Sequence, residues 1–287
     1  MDSIKIEIPV TVENDYYGFN FMSYLFTSTE GFADKNIELN FKSTRWFEAN
    51  LASVLGAWIE SKVYDGCTII MSDINVSIEK VFKKNGFYET YNLGAINDTF
   101  DSTIKYHVFS VSEVDEFSNY VTDNVIPKIR LDLSNSVEKS FKLSLNEVFL
   151  NVNLHARSDK VYTCGQYYHK NNKVAFTISD LGNTIGLNVR NKYPHIEFLD
   201  HEAIDWATHY GHTTKDITEA GGIGLHIIDE FLTSNNGIFQ IISGNGFWEN
   251  NEGNINTRLL EYYFPGTVVN IISKLEQTFS LNSEIFF

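Results

Sequence analysis

Between residues 46 and 63 the apolar side chains Phe47, Leu51, Val54, Leu55, Trp58, Ile59 and Val63 recur at intervals of three and four. That is the period of an α-helix burying one face. The segments on either side follow another rule. NIELNFKST (36–44) alternates with period two, which puts Ile37, Leu39 and Phe41 on one side of a strand, and CTIIMSD (67–73) is a short apolar run. A second amphipathic segment over 77–84 stops at Asn85-Gly86, a helix end. Strand, helix, strand, helix in this order closes as a right-handed βαβ unit on a mostly parallel sheet.

Past the strand-like run YHVFSV (106–111) the character changes. Residues 112–135 are acidic and polar with Pro127 inside and hold a helix, so a domain boundary is expected near residue 112. Residues 137–158 read as a long amphipathic helix and KVAFTIS (173–179) as a buried strand. The stretch 186–220, rich in His, Asn, Thr and Asp, reads as a long loop with one short helix near 202–209, a length that marks a functional lid or disorder. A glycine-led helix over 222–234 and strands over 237–244, 257–264 and 266–272 complete the half.

Charge narrows the partners. Lys and Arg total 22 against 37 Asp and Glu, a formal charge of −15, which repels nucleic acid and anionic lipid alike. A bound polyanion must therefore be held by backbone N–H groups, a helix N-terminus and a divalent cation. The two cysteines, Cys67 and Cys164, have no CxxC or CxxH neighbour, so neither a disulfide framework nor a zinc site is indicated. MDSIKIEIPV lacks a basic segment followed by an apolar core, and no stretch reaches the roughly 18 apolar residues of a membrane span. A cytoplasmic location is expected.

Three segments carry candidate chemistry. In SLNEVFLNVNLHARSD, Glu147, Asn151 and His155 share one helix face by i, i+4, i+8 spacing, while Val148, Phe149, Val152 and Leu154 pack inward. In FTISDLGNTIG, Asp180 ends a buried strand two residues before Gly182. A carboxylate there accepts hydrogen bonds from an exocyclic amine and so selects adenine over guanine. In EAGGIGLHIIDEF, glycines precede an apolar helix and leave its first N–H groups bare for phosphate oxygens.

In their order these segments resemble the N, G1, G2 and G3 boxes of the GHKL (Bergerat-fold) superfamily, which includes histidine kinases, anti-sigma-factor kinases, gyrase-type topoisomerases and mismatch-repair ATPases. The resemblance covers roughly residues 120–275. It implies that Asn151 coordinates Mg²⁺ bridging the phosphates of ATP, Asp180 accepts the adenine amine and Gly182 lets the base approach. It further implies that Gly222, Gly224 and Leu225 offer backbone N–H groups to phosphate, and that Thr267 in FPGTVVNI matches the G3 threonine. GHTTK (211–215) looks like the family's lid element, with Thr213, Thr214 and Lys215 reaching the terminal phosphate. The chain departs from the G1 pattern at Thr184, which stands for the second glycine, with Gly186 displaced by two.

The first half resembles a STAS-like fold. In anti-sigma-factor antagonists the loop before the corresponding helix carries a phosphorylated serine; here that stretch is WFEANLASVLG, where only Ser53 qualifies and its apolar neighbours argue for packing. The fold class expected is thus α+β: a C-terminal Bergerat α/β sandwich over 112–287, a mixed sheet covered by helices on one face, preceded by a smaller STAS-like α/β domain over 1–111. Glu147 is the expected catalytic base, polarising water in hydrolytic members or serving a protein hydroxyl in anti-sigma kinases. Residues 112–135 contain no histidine, which argues against a histidine autokinase. The reading is an Mg²⁺- and ATP-dependent switch with slow ATPase activity. A Ser/Thr protein kinase of the partner-switching type and a nucleotide-gated adaptor without turnover are the alternatives. A protein partner is expected through the N-terminal half, and a homodimer stays an open option.

Overall fold

A computed structural model describes residues 3–129, 135–214 and 223–274. The first half runs β1 (Ser3–Glu7), β2 (Thr11–Val12), α1 (Tyr16–Ser28), β3 (Asn36–Asn40), β4 (Trp46–Phe47), α2 (Ala52–Tyr64), β5 (Thr68–Ser72), α3 (Val76–Lys84) and α4 (Phe87–Thr90). The rest runs β6 (Thr103–Ser110), α5 (Val114–Tyr120), α6 (Ile126–Ile129), α7 (Asn135–Asn151), β7 (Lys160–Tyr168), β8 (Lys173–Asp180), α8 (Ile185–Lys192), α9 (Asp200–Thr208), α10 (Gly224–Ser234), β9 (Ile238–Asn251) and β10 (Asn254–Lys274). The class is α+β, and no helix among the described residues is long and apolar enough to cross a membrane.

Parallel pairing is confined to the first half, in a three-stranded sheet of order β1-β3-β5 and the short β2-β4 pair. The expected βαβ unit is there, but its helix starts at Ala52, because Trp46–Phe47 bridges to β2 and Ala49–Leu51 forms a 3-10 turn. The second sheet has five strands in the order β6-β7-β8-β10-β9, antiparallel at every described pairing. Its edge strand β6 comes from ahead of residue 112. The segments read as strands over 257–264 and 266–272 are one strand, β10, with register shifts around Pro265, where a missing N–H is tolerated.

Both faces of this sheet are covered. On one side α5, α7 and α10 bury Phe117, Phe149 and Phe231 against Ile178, Ile241, Val269 and Ile271. On the other the first half lays Leu51, Trp58 and Phe19 against Cys164, Ile242, Val268 and Phe264. Alternate residues of each strand serve alternate cores, which is why β8 and the end of β10 read as continuous apolar runs. The polar residues on the second face join across the interface. Asn50 Nδ2 donates to Thr177 Oγ1 at 2.8 Å and Asn270 Oδ1 at 3.0 Å, and Asn270 Nδ2 donates to Gln240 Oε1 at 2.7 Å. Ser53 is fully buried and its hydroxyl donates to the Asn50 carbonyl at 2.8 Å, a packing role.

The polar stretch after β8 holds two helices where a long loop with one was expected. Thr184 caps α8, its Oγ1 accepting from the Leu187 N–H at 3.1 Å. Asp200, at the start of α9, is nearly buried, with Arg190 Nη1 donating to its Oδ1 at 2.7 Å and the Asn245 N–H to its Oδ2 at 2.8 Å. Trp248 Nε1 donates to Asp205 Oδ1 at 2.9 Å, fastening α9 to β9. These anchors are charged or amide groups, so hydrophobic periodicity alone does not reveal them.

Candidate functional site

Asp180 is the last residue of β8, paired with Thr267 on β10 and Val161 on β7. Gly266 makes the crossing possible: a Cβ there would lie 2.1 Å from the Asp180 carbonyl oxygen. The Asp180 carboxyl is buried at 4% exposure, and its Oδ1 has no hydrogen-bond partner among the described residues. Burial pushes its pKa up to about 8, against a smaller lowering by the Gly182 N–H. A buried carboxyl oxygen left unpaired costs about 1–3 kcal/mol. A ligand N–H or O–H at this point removes that cost.

The cleft over Asp180 is narrow, about 120 Å³, and opens to solvent. α7 supplies Glu147 and Asn151 from its last turn, one helical turn apart on the same face. α10 supplies Gly224 and Leu225, β10 supplies Thr267, and the segment after α9 supplies Thr213 and Thr214. Val148, Val152, Ile178, Ile185, Val189 and Val269 make the wall apolar. Residues expected from sequence to act together, spread over more than a hundred positions, thus meet on one surface.

Glu147 and the start of α10 are in contact. A Cβ on Gly224 would fall 2.9 Å from Glu147 Cβ, Cδ and Oε2, so only glycine admits the carboxylate at this helix N-terminus. Ile223 at the N-cap gives α10 no side-chain hydrogen bond, and Gly224 and Leu225 of its first turn line the same cleft at the positive end of the helix dipole.

Thr267 takes part in a further chain. Its hydroxyl lies 3.0 Å from Ser243 Oγ, which donates to the Gly266 carbonyl at 2.9 Å and accepts from the Ile185 N–H at 2.9 Å. This ties the floor of the cleft to the first turn of α8. Gly182 stands apart from the cleft wall: a Cβ there would lie 2.3 Å from the Ala156 carbonyl oxygen, so its bareness admits the backbone after α7. Gly186 likewise makes room for Asp200, whose Oδ1 would lie 2.1 Å from a Cβ. Leu154, expected to pack inward, is 55% exposed, because α7 gives way to a π-helical turn at Val152–Ala156 that rotates it outward. Lys215, Gly222 and the side chain of His155 lie outside the described residues.

Sequence reasoning missed Asn183, Asn188, Trp206, Ala207 and His212, which also line the cleft. The i, i+3, i+4 set Ile185, Asn188 and Val189 behind a threonine cap was a usable signal for α8. Among the described residues no group of three or more His, Cys, Asp or Glu is placed to hold a metal ion. No protein-family model and no curated protein matches the chain.

Proposed function

We propose that this chain is an ATP-binding switch protein of the GHKL type, with slow ATP hydrolysis at the cleft over Asp180. The observation that carries the reading is the buried Asp180 carboxyl, whose Oδ1 has no partner among the described residues, at the floor of a cleft that also gathers Glu147, Asn151, Thr267 and the first turn of α10. Adenine presents an exocyclic N–H to such an oxygen, whereas guanine presents a carbonyl that it repels.

Asn151 would hold Mg²⁺ through its amide oxygen, a fit to an ion that takes one or two protein oxygens and completes its shell with phosphate and water. When bound, Mg²⁺ supplies neutralisation of phosphate charge. The N–H groups at the start of α10 receive phosphate oxygens. Glu147, touching Gly224, is within reach of that end of the cleft and acts as general base toward an attacking water. Thr213 and Thr214 close over the phosphates from the segment after α9. The first half, which we read as STAS-like, serves as a docking module for a partner protein. Its buried amide layer with β8 and β10 starts three residues from both Asp180 and Thr267, so nucleotide and partner bias one packed unit.

ATP labelled at the γ-phosphate tests the reading. Slow release of free phosphate that is lost in Asp180→Asn is the expected result. Label appearing on a co-incubated protein would assign the alternative protein kinase activity, retained unhydrolysed ATP would assign an adaptor, and no bound label at all would refute the nucleotide site.

A further inference from the structure

The five-stranded sheet carries a second cleft at its other end. β8 runs from Lys173 to Asp180, so at about 3.3 Å per residue its start lies about 23 Å from the nucleotide cleft. There a space of about 610 Å³ opens between the two halves, within the size range of small-molecule sites. The first half lines it with Trp46, Glu48 and Phe100, the second with Tyr168, Lys173 and Ile272.

The fold brings a charged pair and aromatic faces together here. Trp46 and Glu48 stand two apart on extended backbone, so both turn to one side while Phe47 is buried on the other. Tyr168 and Lys173 are partners across β7 and β8, which sets the Lys173 Nζ over the Tyr168 ring, 4.8 Å from its centroid. The Trp46 and Tyr168 rings lie 6.3 Å apart, centroid to centroid. Lys173 Nζ donates to Glu48 Oε1 at 3.3 Å, an ion pair whose carboxylate is nearly buried. Glu48 Oε2 has no hydrogen-bond partner among the described residues. The Tyr168 hydroxyl lies near this carboxylate: burial and then the Glu48 charge hold the phenol well above its ordinary value. A carboxylate accepts at about four positions and an ammonium donates from all its N–H groups, so each member of the pair keeps capacity toward a ligand.

A group that meets this pair must bring a donor and an acceptor side by side. An ammonium alone suits Glu48 and is repelled by Lys173, and a carboxylate alone does the reverse. An α-amino acid carries both charges on one carbon and lies against the pair head to tail. Its side chain then meets Trp46, which is 45% exposed, and Phe100, which is 69% exposed, and covering those faces is favourable. We propose that this cleft is a binding site for a free α-amino acid with a large apolar or aromatic side chain. The site is separate from the nucleotide cleft and does not depend on that reading.

Titration calorimetry of the full chain with L-phenylalanine tests the assignment, beside phenethylamine and 3-phenylpropionate, which keep the ring and lose one charge each. Wild type should bind L-phenylalanine saturably at one site, and each analogue about tenfold or more weaker, the worth of a charge-assisted hydrogen bond. Glu48→Gln should lower the affinity for L-phenylalanine by a similar factor. Trp46→Ala, at an exposed position that leaves the cores intact, should weaken it as well and keeps the test standing where Glu48→Gln does not fold. No saturable binding of L-phenylalanine, equal binding of the amino acid and its analogues, or binding that either folded variant leaves unchanged would overturn the proposal.

Discussion

The sharpest consequence of the site geometry concerns Asp180 and pH. The carboxyl has an ordinary value of 3.8 when solvated and about 8 when buried in the fold, where desolvation penalises its charge. Between those values the folded protein keeps a proton that the unfolded chain has released. Stability must therefore fall as pH rises through this window, at about 1.4 kcal/mol per pH unit for a site titrating alone. Below the window both states are protonated, and above it both are ionised and the full penalty is in place. Asp180→Asn carries no titrating group, so whatever constant offset the amide introduces, its stability lacks this slope. Urea unfolding of both proteins at pH 5.5 and pH 7.5 should show the difference, wild type minus variant, moving against wild type by about 2–3 kcal/mol. Parallel curves would mean that the carboxyl ionises in the fold and that its burial is not as described. The same linkage acts on binding: a donor from adenine favours the carboxylate, so adenosine should release a proton on binding below pH 8. Calorimetry in buffers of different ionisation enthalpy reads that proton directly.

Glu147→Ala should keep nucleotide affinity within a few-fold and lose phosphate release, since a general base acts mainly in the transition state; normal turnover would remove it from that role. Asn50→Leu should destabilise the whole chain by about 2–5 kcal/mol in urea melts, because Thr177 and Asn270 lose a buried partner that water cannot replace; a change under ~0.5 kcal/mol would mean that the layer is not formed. Hydrogen exchange should show α8 and α9 protected with or without nucleotide, held by Asp200, while protection gained with an ATP analogue appears only beyond Thr208; gain spread evenly over 186–208 would contradict the anchoring.

How far the sequence could be read follows from which physics each element uses. The βαβ unit and the helix bearing Glu147 and Asn151 were legible because each buries an apolar face with a fixed period, and the strand ending at Asp180 because its continuous apolar run marks burial on both faces. The cleft residues Glu147, Asn151, Asp180, Gly224 and Thr267 were legible for a different reason, their order and spacing along the chain. Helices α8 and α9 were not, because Asp200, Arg190 and Asn245 hold them through ion pairing and hydrogen bonds, which leave no periodic trace. Gly182 was assigned to the ligand and serves Ala156, since a glycine reports only that something comes close, not what. The docking of the two halves was equally hidden. Asn50, Thr177, Gln240 and Asn270 look like ordinary polar residues until the fold brings them to one buried layer.

The central claim is that the unpaired Asp180 carboxyl reads an adenine amine. It is tested most directly by titrating the wild-type chain with Mg²⁺-ATP and with Mg²⁺-GTP in the same buffer. The account predicts saturable one-site binding of ATP, with GTP weaker by about tenfold or more, the worth of one charge-assisted hydrogen bond replaced by a repulsive contact. Equal affinities for the two nucleotides, or no binding of either, would contradict it.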